Sequence, residues 1–155
     1  MRLAYAPLPY GRGTVGRPCV ELRFGADPNA MNHLALVDSG SVRTIIPRSE
    51  LDAAGVALGP EVERLGLRFG GIAEDDVPVH LVDVTVVSPD SDRWQGIELA
   101  QIPVACCETQ HLPVLILGSS ALLRLVVLLR EHDQVLHLKA WEQFAQAPHF
   151  TDDGF

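Results

Sequence analysis

Apolar residues in this 155-residue chain come in short runs, each closed by glycine, proline or a small polar cluster. That punctuation limits what the chain can fold into, because runs so short suit strands better than helices. Cys19-Val20-Glu21-Leu22-Arg23-Phe24 alternates as a half-buried strand does and stops at Gly25-Ala26-Asp27-Pro28-Asn29. Residues 32–37, 64–69, 77–87, 97–105 and 114–117 read as further strands. Residues 126–129 and 135–138 read as a closing hairpin across Glu131-His132-Asp133. Along 77–87, Val79, Leu81, Asp83, Thr85 and Val87 share one face, and His80, Val82, Val84 and Val86 the other. Apolar residues on both faces predict a strand that is in part buried twice. Two stretches read as short helices. Residues 47–55 carry proline near the start and glycine at the end, and residues 121–125 follow Ser119 and Ser120, either of which can cap a helix. Many short strands with little helix predict an all-β barrel or sandwich.

The chain is long enough for one domain with its own core, and 47% hydrophobic against 21% charged residues is the content of a folded protein. A formal net charge of −8 argues against a nucleic-acid backbone or an anionic membrane as the main partner. Residues 1–7 hold no long apolar region after Arg2, so no secretory signal is expected. Residues 122–129 are interrupted by Arg124 and too short to span a bilayer. The expected compartment is the cytoplasm. The three cysteines, Cys19, Cys106 and Cys107, make no disulfide framework. Neighbours on a strand point to opposite faces, so Cys106 and Cys107 are expected as small buried hydrophobes rather than partners. Residues 1–16, with Pro7, Pro9, Gly11, Gly13 and Gly16, read as an irregular lead-in, and 17–140 as the barrel. Residues 141–155, with Trp141, Phe144, Phe150 and Phe155, read as a tail that folds back, frays or contacts a second copy.

One strand ends in chemistry. Leu34-Ala35-Leu36-Val37 runs straight into Asp38-Ser39-Gly40, and Thr44-Ile45-Ile46-Pro47 leads away. A carboxylate at the end of a buried strand costs desolvation unless it is hydrogen-bonded, paired or employed. Taken alone, the tripeptide is equally an ordinary turn. In the second half, Leu112-Pro113-Val114-Leu115-Ile116-Leu117-Gly118 is again an apolar run ending at glycine, followed by a helix start. Together the two stretches resemble the retropepsin-like aspartic peptidases, single-lobe relatives of retroviral proteases. In that family an Asp-Thr/Ser-Gly loop, a flap hairpin and an apolar-apolar-Gly motif entering a short helix follow in this order. The resemblance covers roughly residues 17–140.

The resemblance implies a closed acid-protease-like barrel in a single lobe with one or two short helices. It implies Asp38 as the catalytic residue, with Ser39 and Gly40 supporting the loop. Gly70, Gly71 and Ile72 would form the flap tip, and Ile116, Leu117 and Gly118 the second motif. Only one Asp-Ser-Gly occurs, and Asp152-Asp153-Gly154 has the wrong middle residue and no strand before it. The resemblance therefore implies a homodimer in which two Asp38 carboxylates activate one water against a peptide or protein substrate, with no cofactor. One departure stands out. The family helix usually begins Gly-Arg-Asp/Asn, and in retroviral members its Arg pairs with an Asp two residues after the loop glycine. Here those positions are Ser119 and Val42, so both partners are missing together and no buried charge is orphaned.

Other chemistry is less well supported. His80, His111, His132 and His137 with Cys106 and Cys107 lack metal-ligand spacing, so no metal is expected. Gly118-Ser119-Ser120 is no nucleophile elbow. Glu74-Asp75-Asp76 beside the flap tip reads as a solvated turn, or as a preference for basic substrates. The serious rival is the same barrel kept as a silent dimerisation or peptide-binding module, since fold alone does not establish activity.

Overall fold

In the computed structural model, which describes residues 1–10, 13–24, 31–69, 72–87, 96–109, 112 and 114–146, strands dominate as the punctuation predicts. The chain opens with β1 (Arg2–Ala4), β2 (Ala6–Tyr10), β3 (Gly13–Arg17), β4 (Cys19–Phe24), β5 (His33–Val37) and β6 (Thr44–Pro47). A short helix, α1 (Arg48–Ala53), leads to β7 (Glu61–Phe69), β8 (Ile72–Val87), β9 (Gly96–Cys107) and β10 (Leu115–Leu117). One helical turn, α2 (Ser119–Leu122), precedes β11 (Leu125–Arg130), β12 (Val135–Ala140) and α3 (Trp141–Gln146). Among the described residues no helix is long and apolar enough to cross a membrane.

Hydrogen bonding closes a ring. The order β4-β5-β10-β6-β9-β8 returns to its start because β8 also pairs with β4, from Glu21 opposite Val87 to Phe24 opposite Val84. The fold is thus all-β, a closed six-stranded barrel in one lobe, with β7 added outside β8. Within the ring β5 runs parallel to β10, and β6 parallel to β9, while β10 lies antiparallel to β6. A bulge near Val82 is held by Asp83, whose Oδ1 accepts the Gln101 backbone N–H at 2.7 Å and its side-chain amide at 2.9 Å. The same bonds hold the Asp83 carboxyl below the usual carboxylate range.

Two apolar clusters form, one on each side of the central strands. The larger holds Leu22, Phe24, Ile46, Val82, Val84, Val104, Cys106, Leu115 and Leu117. The smaller holds Ile45, Leu67, Val77, Val79, Ala105, Cys107 and Ile116. Consecutive residues of Ile45-Ile46 in β6, Val104 to Cys107 in β9 and Leu115 to Leu117 in β10 alternate between the clusters, so these stretches are buried on both faces and read as apolar runs. β8 changes sides along its length. Val77 and Val79 face the small cluster, and Val82, Val84 and Val86 the large one. Cys106 and Cys107 fall on opposite sides as expected, and burial pushes both thiols up to about 11.

Residues 1–16 correct the expectation of an irregular lead-in. β2 and β3 form a two-stranded ribbon with Pro7 opposite Gly16 and Pro9 opposite Thr14. Prolines two apart direct their missing N–H groups to the same side, so both fit one unpaired edge without breaking the ladder. β1 joins β12 and β11 in a separate three-stranded sheet, and Leu3, Tyr5, Leu125, Leu136 and Leu138 pack into the large cluster. Of the tail, α3 is described and carries Trp141 exposed; residues 147–155 lie outside the described residues.

Candidate active site

Strand β5 delivers Asp38 to the surface and its own turn holds it there. The Asp38 N–H donates to the Leu117 carbonyl at 3.1 Å, which ties the loop to β10. The Gly40 N–H donates to Asp38 Oδ1 at 2.9 Å, and the Ser41 N–H to the Asp38 carbonyl at 3.2 Å. The turn reading of Asp-Ser-Gly holds and does not exhaust the carboxylate: one oxygen stabilises the turn. The other takes no hydrogen bond among the described residues, and the side chain is half-buried at the mouth of a cleft.

The second motif supports this loop from behind. A Cβ on Gly118 would stand 2.2 Å from the Arg43 carbonyl oxygen and 2.9 Å from that of Ser41. Its backbone is extended, at φ −90°, so close approach, not a special conformation, demands glycine. The Gly118 N–H donates to the hydroxyl of buried Thr44 at 3.2 Å. The next two N–H groups, of Ser119 and Ser120, donate to the carbonyls of Ser41 at 2.8 Å and Val42 at 3.2 Å.

Neither serine caps α2, contrary to the sequence expectation: Gly118 is the N-cap and makes no side-chain cap bond. The serines are the helix's first two residues, the Ala121 and Leu122 N–H groups go to the Gly118 carbonyl, and both hydroxyls turn to other partners. Ser119 Oγ donates to the Ser39 carbonyl at 3.1 Å. Ser120 Oγ accepts the Thr44 N–H at 2.9 Å and donates to the Pro103 carbonyl at 2.9 Å. Where the family resemblance calls for an Arg/Asp pair, the loop and helix are joined instead by main-chain bonds, and the Val42 side chain is 69% exposed.

The cleft encloses about 520 Å³. Asp38, residues 40–43 and Ile45 form one wall, and Glu63 with residues 65–68 of β7 the other. Arg43 crosses between the walls, its Nε–H donating to Glu63 Oε1 at 2.7 Å. That bond holds the Glu63 carboxyl below the usual glutamate range. Sequence reasoning missed this pair. Each charge sits among polar neighbours in its own strand or turn, and nothing local names a partner on another strand.

The expected flap is the β7–β8 hairpin, which pairs Leu67 with Glu74 and Phe69 with Ile72. Gly70 and Gly71 lie outside the described residues, and Ile72 opens β8. Glu74-Asp75-Asp76 is strand rather than a solvated turn. Asp75 pairs with Arg68 at 2.5 Å and Asp76 with Arg64 at 2.7 Å. Glu74 accepts the Glu108 N–H at 2.9 Å and the Thr109 hydroxyl at 3.1 Å, which anchors the hairpin to the end of β9. On the other side of the Asp38 loop, Val37, Ser39, Leu122, Leu125, Val127 and Leu129 line an apolar groove of about 330 Å³. Among the histidines, His80 Nδ1 lies 2.9 Å from the Gly59 carbonyl, and His33 Nδ1 3.2 Å from Glu50. His111 lies outside the described residues.

No protein-family model matches the chain, and no curated protein matches it. Among solved structures, an EIAV protease complexed with the inhibitor HBY-793 is similar at 19% identity and a TM-score of 0.42. The similarity spans 75% of this chain and 92% of that one. The class defined by the strand topology itself is a single-lobe, closed all-β barrel.

Proposed function

We propose that the chain is a retropepsin-like aspartic endopeptidase that works as a homodimer. The observation that carries this reading is Asp38: a carboxylate on the end of a buried strand, with one oxygen anchored by Gly40, opens into a cleft walled by a second strand. An extended peptide suits such a cleft, since strand-like hydrogen bonding along β7 aligns it past the Asp38 loop.

Hydrolysis needs two carboxylates facing one water. One, ionised, takes a proton from the water, and the other, protonated, donates to the scissile carbonyl as the oxygen attacks. Carboxylates so close share one proton and titrate as a pair. The chain supplies one such Asp, so the second is Asp38 of another copy across a two-fold axis. The apolar groove beside the loop, with Leu129 and Leu123 exposed nearby, gives that copy an apolar face to cover. Residues 70–72 would close over the bound peptide as the flap.

The test is cleavage of a mixed unfolded peptide library by wild type and Asp38→Asn, at several enzyme concentrations from acid to neutral pH. Cuts lost in the variant, with specific activity rising as enzyme is concentrated, support the dimeric peptidase. No Asp38-dependent cut under any condition overturns it and leaves the barrel as a dimerisation or peptide-binding module.

A further inference from the structure

The ion pair across the cleft is only half used by its own partners. Arg43 spends Nε–H on Glu63 Oε1. Among the described residues its terminal N–H groups and Glu63 Oε2 take no other hydrogen bond. Both side chains remain open to the cleft, at 27% and 39% exposure. The pair therefore presents unspent donors and an unspent acceptor side by side, with no net charge.

We infer that Arg43 and Glu63 form a specificity subsite for a carboxamide side chain, glutamine or asparagine, on the bound peptide. A carboxamide carries an acceptor oxygen and a donor nitrogen on one carbon, and so can satisfy both partners at once. A carboxylate placed here gains Arg43 but meets Glu63, and an ammonium gains Glu63 but meets Arg43. An aliphatic side chain covers the pair, removes it from water and returns no hydrogen bond. The other cleft charges do not alter this balance. Arg68 is engaged by Asp75, and Asp38 belongs to the reacting centre. The inference rests on reading the cleft as a peptide site, and it adds which peptide.

The test uses peptides with an uncleavable reduced bond that carry Gln, Glu, Lys or Leu at one position, moved in turn along the chain. Binding is measured to wild type, Glu63→Gln and Arg43→Gln, with circular dichroism as the check on folding. At one position wild type should bind Gln roughly tenfold more tightly than the other three. Glu63→Gln, which leaves Arg43 unneutralised, should move the preference there to Glu. Arg43→Gln should move it to Lys. If one variant does not fold, the other still carries the inversion, and the wild-type ranking stands by itself. A flat profile, or the same ranking in all three proteins, overturns the subsite. Cleavable versions of the panel separate the two proposals. Asp38-dependent cleavage without a Gln preference sinks the subsite alone, and a Gln preference in binding without such cleavage sinks the peptidase alone. Wild type that binds no peptide at all overturns the subsite as well.

Discussion

Two parallel neighbours, β5 and β10, end at the same level and do opposite things there. Ala35, Leu36 and Val37 pair with Leu115, Ile116 and Leu117, so Asp38 and Gly118 leave the sheet side by side. Asp38 opens into the cleft, its carboxylate partly in solvent. Gly118 is buried against the Arg43 carbonyl, where no side chain fits. The same local pattern, a buried apolar run and then a tight turn, thus leaves an open carboxylate at one end and a steric constraint at the other. At Asp38 nothing steric stands against a substitution of similar shape, and the peptidase proposal alone makes the carboxylate itself essential; for Gly118 the fold itself is at stake.

Asp38→Asn is the sharpest way to break that comparison. Its amide oxygen can keep the Gly40 bond, so the fold should survive with a stability change under about 1 kcal/mol. If the proposed peptidase mechanism holds, peptide cleavage should fall by on the order of 10³-fold or more, because the group assigned to move the proton is gone. Gly118→Ala should do the reverse, since its Cβ meets backbone rather than a flexible side chain. We expect a loss of about 3 kcal/mol, read as a lower urea midpoint at unchanged slope. An alanine tolerated there would mean the two strand ends are not held as closely as described.

Ser120→Ala comes next. It strips the acceptor from the N–H of fully buried Thr44 and should cost about 1–3 kcal/mol in the same unfolding measurement. Ser119→Ala removes only an exposed bond to the Ser39 carbonyl and should cost about 0.5 kcal/mol or less. Equal effects from the two serines would erase the distinction between structural support and surface contact.

The smallest effect concerns pH. Arg43 favours the ionised form of Glu63 in the folded chain, so the native carboxyl titrates below its unfolded value. The pair's contribution is then fully present above the unfolded glutamate range and is lost as pH falls through the lowered native value. Both partners are partly exposed and screened by solvent, so the stability change is small and best read by carbon NMR of the Glu63 carboxyl. Arg43→Gln should return that titration toward the ordinary glutamate value; an unchanged curve would mean the pair is not formed in solution.

Much of the architecture was legible because strand burial is written in short-range periodicity. Ile45-Ile46-Pro47 and Leu115-Ile116-Leu117 are unbroken apolar runs because each is covered on both faces. Adjacent Cys106 and Cys107 were correctly expected to face apart, since that follows from the strand repeat alone. The lead-in was misread because glycine and proline were weighed by number rather than by register. Pro7 and Pro9 are tolerated at one edge of a ribbon, which only the pairing of β2 with β3 reveals. The serines were misread as caps because the helix already begins at Ser119: Gly118 is the N-cap, and its carbonyl takes the Ala121 and Leu122 N–H groups, while the serine N–H groups reach Ser41 and Val42, residues remote in the chain.

By itself the sequence determined the all-β class, most of the strands, the end of the strand that carries Asp38, and the glycine that closes the second motif. These follow from side-chain periodicity and turn chemistry, which act over a few residues. Only the tertiary structure decided that the ring closes through β4 and β8, that Gly118 lies against Arg43, and that Arg43 meets Glu63 across the cleft. Those outcomes depend on which distant residues come within bonding distance, and no local pattern encodes a distance between two strands.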